Sequence, residues 1–372
     1  MCKSLVFGMP YVSRMTVQTG FWIVTTFLFG ISIGSFLNVV IWRLPRGGSL
    51  TKPQWSYCPN CEHQLSALDL IPLFSFLLLG QKCRYCKKPI SWRYFGVELL
   101  TGLLFVSLYL RYPQDAPNAV FMLLFAALLV PMYFIDLDFF IIPEALNLLA
   151  FVVAVGRDVY GIVTHEAGHE LLWGWLPRSI LGAVVGVLIF GAVRVLGWIW
   201  KRQEAMGLGD VLLARAMGAM LISVVPVGAN PLRLFPIWVF LSCISGLVLG
   251  GGKLLLARSK QSLAVEGASQ LQEDEPPAED NSSIGKELYE IGLCLWLGDA
   301  IEYIQECMPA ARKSKQKEAE AAQTDDWKPA PSAIPFGPGL IVGFLATVFC
   351  GEIFTAWYLA YAFPKKESGT GP

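Results

Sequence analysis

Apolar residues in this chain gather into long unbroken runs rather than alternating with polar ones. The runs lie near residues 20–42, 94–111, 118–136, 142–162, 178–199, 209–226, 234–257 and 336–362. They are far longer than strands and show no period of two, which predicts helices and argues against a barrel. Each approaches the ~20 residues a helix needs to cross a bilayer. The pattern therefore predicts an all-α polytopic membrane protein with about eight transmembrane helices and a small polar module between the first two.

The breaks between runs divide the chain further. Residues 1–43 form an N-terminal segment and first span, 44–93 a four-cysteine module, and 94–257 a membrane core. Residues 258–330 form a polar insertion, and 331–372 a last span and tail. Within the insertion, 259–283 is acidic and Pro-containing, as a disordered linker is. Ile284 to Cys307 then mixes Leu, Ile and Trp with Glu and Lys at helical spacing, which suits an interfacial or partner-binding helix. The insertion carries no chemistry of its own and is a candidate surface for an unknown cytoplasmic partner. A glycosylation sequon at Asn281 falls within it.

Composition sharpens this picture. Of 372 residues, 54% are hydrophobic and 16% charged, more apolar surface than a water-soluble domain could hide. Lys and Arg number 29 and so do Asp and Glu, so no bulk attraction to nucleic acid arises and membrane lipid is the expected surrounding. The loop after the first span carries Arg43, Arg46, Lys52, Lys82, Arg84, Lys87, Lys88 and Arg93, which the positive-inside rule places in the cytoplasm. Eight spans then leave both termini outside. No cleavable signal peptide is evident, and Met15 is an alternative start.

Charges within such a sequence stand out. FIDLDFFIIPEA, residues 134–145, sets Asp136 and Asp138 at the end of one apolar run, and MGLGD, residues 206–210, sets Asp210 at the start of another. Acids at membrane depth are costly and are rarely kept without a use. One carboxylate from each of two helix ends can share a proton and hold a water, one acting as base and the other as acid. Gly207 and Gly209 would let backbone or substrate come close to Asp210. Both places fall on the cytoplasmic face.

Cys58, Cys61, Cys83 and Cys86 are spaced C-x2-C-x21-C-x2-C, as in a structural zinc site, with a disulfide pair as the alternative. Four thiolates close the coordination sphere, so the metal would fold the module rather than react. Gly30 and Gly34 have the small-xxx-small spacing of close helix packing, while Asn38 and Arg43 at the end of that span are harder to explain as packing. His165-Glu166-x-x-His169 reads literally as a metalloprotease motif, but its flanks are polar loop and Gly168 lies inside it, so a solvated loop is the better reading.

Seven segments in order carry a resemblance: GSFLNVVIWRLP (34–45), CPNC (58–61), IPLFSFLLLGQKCRYC (71–86), ISWRYFGVELLTG (90–102), DLDFFIIPE (136–144), EAMGLGD (204–210) and IPFGP (334–338). Through them the chain resembles the type IV prepilin peptidases, the bifunctional leader peptidase and N-methyltransferase family of GxGD aspartyl proteases. The resemblance implies that Asp136 and Asp210 are the catalytic pair, working without a metal. It implies zinc on Cys58, Cys61, Cys83 and Cys86, and methyl transfer from S-adenosylmethionine, for which Gly34, Asn38, Arg43 and Glu98 are the candidates. The substrate it implies is a prepilin or pseudopilin cut at the inner membrane. Asp138 ranks second, as a site-lining or leader-binding acid, together with Glu144. Glu144 stands where the family usually has Asp. After GLGD the usual Lys is replaced, with Arg215 one turn on. A transporter with acids along a water path, or a membrane scaffold with dispensable carboxylates, are the rival classes.

Overall fold

The computed structural model describes residues 17–53, 55–166, 176–201, 206–224, 231–264 and 335–362. Among them the chain forms helices α1 (Val17–Arg43), α2 (Phe74–Leu78), α3 (Trp92–Arg111), α4 (Ala116–Phe139), α5 (Glu144–Val163), α6 (Arg178–Lys201), α7 (Leu208–Ser223), α8 (Leu234–Ala264) and α9 (Gly337–Ala362). Seven of these are long and apolar enough to cross a membrane. The exceptions are the short α2 and α7. The expected span at 209–226 is present as α7, but it has only 16 residues and every residue from Asp210 to Ser223 is buried. Hydropathy responds to apolar side chains whether lipid or protein surrounds them, so a helix sheathed by other helices reads as a span.

Two compact units divide the described chain, one holding α1 to Pro131 of α4 and the other running from Met132 onward. The expected core, 94–257, is thus shared between them. In the first unit α1 lies against α3. A Cβ on Gly30 would come 2.8 Å from Gly102 Cα, and one on Gly34 2.8 Å from Glu98 Cα. Small residues four apart let the two backbones touch, which is the packing role that the spacing of Gly30 and Gly34 suggests.

In the second unit α7 is the central element. It packs on α6 through glycines, since a Cβ on Gly182 or Gly186 would collide with the backbone carbonyl of Gly218 or Ala214. On another side α5 meets α7, where the Ser223 hydroxyl donates to Ala154 O at 3.1 Å and the Arg215 guanidinium lies 4.6 Å from the Phe151 ring centre. Helices α8 and α9 pair closely. Trp238 Nε1 donates to Leu340 O at 3.3 Å and Ser245 Oγ to Gly339 O at 2.7 Å. Within this unit the end of α4 and the starts of α7 and α9 meet at one place.

Candidate active site

Asp136 occupies the last turn of α4. That helix stops at Phe139, because Phe140 adopts φ 58° and turns the chain toward Pro143 and α5. A left-handed Phe is sterically unfavourable, so tertiary packing must hold this turn in place. Asp210 occupies the first turn of α7, where Gly207 N–H bonds its carboxylate. Both aspartates are more than nine-tenths buried, with 5% and 8% of their surface exposed.

The two carboxylates converge on one point. A Cβ built on Gly337, the first residue of α9, would lie 2.5 Å from Asp136 Oδ2 and 3.1 Å from Asp210 Oδ1. The two oxygens cannot be farther apart than those two distances laid end to end, and the charges interact. Ile142 closes one side, 3.2 Å from the same point and 3.3 Å from a Cβ on Gly209. Any larger residue at position 337 would occupy the space between the acids.

Supporting groups hold the α7 end of this arrangement. The Arg194 guanidinium, only 3% exposed on α6, donates to Met206 O at 2.9 Å and so fixes the loop before Asp210. Asn147 on α5, 1% exposed, has its amide satisfied at both ends when it donates to Leu212 O (3.1 Å) and accepts from Leu213 N–H (3.0 Å). Neither residue was a sequence candidate. Asn147 lies three positions after Glu144, and a buried Asn or Arg inside an apolar run is the signal that could have flagged both.

Other sequence candidates fall elsewhere. Asp138 is exposed, two positions past Asp136, and Glu144 begins α5 half-buried. Gly207 precedes α7, and its Cβ would be 3.6 Å from Asp210 Oδ2. His165 and Glu166 follow α5 in non-helical chain, where Glu166 accepts from Arg157 Nη2 at 2.7 Å. His169 and most of the 258–330 insertion, including Asn281, lie outside the described residues.

The first unit holds a second centre. The four thiol sulfurs of Cys58, Cys61, Cys83 and Cys86 all lie within 4.8 Å of one another, and those of Cys58 and Cys86 are 3.9 Å apart. A tetrahedron with Zn–S near 2.3 Å has edges of about 3.8 Å, so the donor set fits zinc. The two C-x2-C turns repeat one backbone pattern. Cys58 O accepts from Glu62 N–H and Cys83 O from Lys87 N–H, with Glu62 and Lys87 both at positive φ. These thiols are free rather than bridged. Burial raises the Cys83 thiol, but hydrogen bonds from the backbone of Cys86 and Tyr85 and from the thiols of Cys58 and Cys86 together bring it down to about 7. His63 N–H lowers the Cys61 thiol, yet burial and the three neighbouring sulfurs push it up to about 11. Crowded thiolates repel unless a cation lies between them.

Beside this cluster is a cavity of about 330 Å³ lined by Asn38, Arg43, Asp69, Tyr94, Phe95 and Glu98 among others. That volume lies in the range of small-molecule sites. Asn38 Nδ2 donates to Tyr94 O at 3.0 Å. The Arg43 guanidinium donates to the carbonyls of Ser49, Pro53 and Trp55 at 3.0 to 3.2 Å and clamps the loop ahead of the first knuckle. Gly34 lies against Glu98 in the helix interface.

Known proteins with the same sequence features identify the family. Residues 28–112 match the bacterial Peptidase A24 N-terminal domain, and residues 123–251 match the Type IV leader peptidase family. A prepilin leader peptidase/N-methyltransferase of Myxococcus xanthus is 32% identical over 332 residues, covering 87% of this chain and 89% of that protein. The chain belongs to the type IV leader peptidase family. A further leader peptidase/N-methyltransferase, from Aeromonas hydrophila, is 34% identical over 63% of this chain and 82% of its own length. The type 4 prepilin-like proteins leader peptide-processing enzyme of Escherichia coli is 36% identical over 51% of this chain and 73% of its own. No solved structure matches. As a leader peptidase the chain is a proteolytic enzyme, and its family together with the seven apolar helices among the described residues makes it a multi-pass inner-membrane protein.

Proposed function

We propose that this leader peptidase cleaves the basic leader from prepilins or pseudopilins by an aspartyl mechanism at the cytoplasmic face, and then methylates the new N-terminus. The observation that carries the reading is the convergence of Asp136 and Asp210 on Gly337. Two buried carboxylates that close share one proton. The ionised partner takes a proton from the attacking water, and the protonated one donates to the peptide carbonyl oxygen and then to the leaving amine. Ile142 and the closely packed α7 keep bulk water from the pair, which strengthens each charge–dipole contact. Arg194 and Asn147 hold Asp210 in register by fixing the backbone on either side of it. Asp138, exposed beside the site, and Glu144 would meet the Lys or Arg of a leader.

Methyl transfer belongs to the first unit. The cavity beside the cysteines would hold S-adenosylmethionine, whose sulfonium supplies the methyl group. Glu98 offers a carboxylate to a cationic ligand, and Tyr94 and Phe95 offer rings for a base to stack on. Asn38 fixes the first turn of α3 through Tyr94 O, and Arg43 shapes the cavity wall by holding the 49–55 loop. Zinc on the four cysteines would tie the two knuckles together where few apolar side chains are buried, leaving the metal no part in hydrolysis.

Mass measurement of the product tests both halves. Purified protein incubated with a prepilin and a labelled methyl donor is expected to give a product lighter by the leader and heavier by one methyl. An intact prepilin would overturn the protease assignment, and a cut but unmethylated product would overturn the transferase assignment.

A further inference from the structure

Residues 68–78 of the zinc module carry an apolar surface that neither reaction uses. Leu68, Ile71, Phe74, Leu77 and Leu78 are all exposed, Leu78 at 85%. A water-facing turn rarely leaves so many large apolar groups side by side. On its inner side the same segment is well packed. Phe76 is buried, with its ring 5.1 Å from Trp92 and 5.4 Å from Phe95 in the first turn of α3.

The height of this segment is fixed by α3. Leu73 N–H donates to Glu98 Oε2 at 2.8 Å. Glu98 is six residues beyond Trp92, about 9 Å along the helix axis. Its side chain leans back toward the helix start, so the Leu73 backbone lies roughly 5–9 Å inside that end of α3. Helix α3 has 20 residues and meets the criteria for a membrane span. Its length, about 30 Å, matches the hydrocarbon thickness, so its end marks the edge of the lipid core. A surface-lying amphipathic segment buries its apolar face about 5–10 Å deep.

Two further features agree. Phe76 packs the segment on Trp92, which shares one stripe of α3 with Leu100 and Leu103, all three exposed. Immediately after it come the exposed Lys82, Lys87 and Lys88, whose charge suits anionic headgroups. We propose that Leu68 to Leu78 is an interfacial anchor, inserting into the phospholipid leaflet in which α1 and α3 end and laying the zinc module against it. The occupant of the patch is lipid, and the anchor holds the methyl-transfer cavity at the membrane surface.

Photocrosslinking tests this directly. Leu78→benzoylphenylalanine in the full-length protein, reconstituted in vesicles of phosphatidylethanolamine and phosphatidylglycerol and illuminated, is expected to give phospholipid adducts on the peptide containing residue 78. Gln64→benzoylphenylalanine, on the exposed first knuckle, is expected to give at least fivefold less. Equal lipid adduct at the two positions, no lipid adduct at 78, or adducts at 78 that switch to peptide when prepilin is added would each overturn the proposal. Zinc content of one ion per chain reports folding. Leu68→benzoylphenylalanine supplies the same reading should the 78 variant lose its metal. The test needs neither reaction, so a protein inactive in both would still report on the anchor.

Discussion

Adding one methyl group at Gly337 should silence proteolysis while leaving the protein folded. In Gly337→Ala the new Cβ would lie 2.5 Å from Asp136 Oδ2, where ordinary contact begins at 3.4 Å, so the carboxylate must withdraw by the difference, about 0.9 Å. The group that moves is the tip of a side chain and not backbone, so the adjustment costs little stability. Misplacing a reacting group by ~1 Å costs on the order of a hundredfold in rate, or about 2.7 kcal/mol of activation free energy. The assay is kcat for prepilin cleavage, with thermal unfolding in detergent as the control for folding. Gly96→Ala, where a Cβ meets nothing within 4 Å, is the matched control and should cut at the wild-type rate. Cleavage by Gly337→Ala at the wild-type rate would refute the claim that both acids work at that point.

Three further outcomes follow from the packing. Arg194→Met leaves Met206 O without its charged donor, a bond of about 1.5–3 kcal/mol, so kcat for cleavage should fall roughly ten- to a hundredfold with KM little changed. An unaltered kcat would remove Arg194 from the support of Asp210. Gly218→Ala drives its Cβ into the carbonyl of Gly182, which as backbone cannot step aside, so the melting temperature in detergent should drop markedly. Cys83→Ser, or chelation of the wild type, should lower zinc to below one ion per chain and expose residues 49–90 to limited proteolysis, whereas an unchanged digestion pattern would mean the sulfurs do not hold the module together.

Much of the site was legible because charge is conspicuous in an apolar chain. Asp136 and Asp210 announced themselves at the ends of hydrophobic runs, and the four cysteines through their spacing. Gly30 and Gly34 showed their packing role in the same way. What stayed hidden depends on partners far along the chain. Nothing local marks Gly337 as the residue between two carboxylates, since a glycine before a proline reads as a helix start. Ile142 looks like any other apolar residue until its contacts are known. Asn147 and Arg194 act through backbone groups of α7 and of the loop before it. The length and burial of α7 were also beyond reach, because hydropathy cannot separate a helix sheathed by protein from one sheathed by lipid. Arg43 was a candidate for methyl transfer, and in the structure its guanidinium clamps backbone carbonyls, which no spacing reveals.

The central claim is that Asp136 and Asp210 act as one unit, and a double-mutant comparison tests it most directly. Asp136→Asn, Asp210→Asn and the double variant, each present in the membrane at wild-type level, should lose prepilin cleavage to the same background, because groups that share one water and one proton are not additive. Normal cleavage by either single variant, or a double variant losing the product of two partial losses, would contradict it.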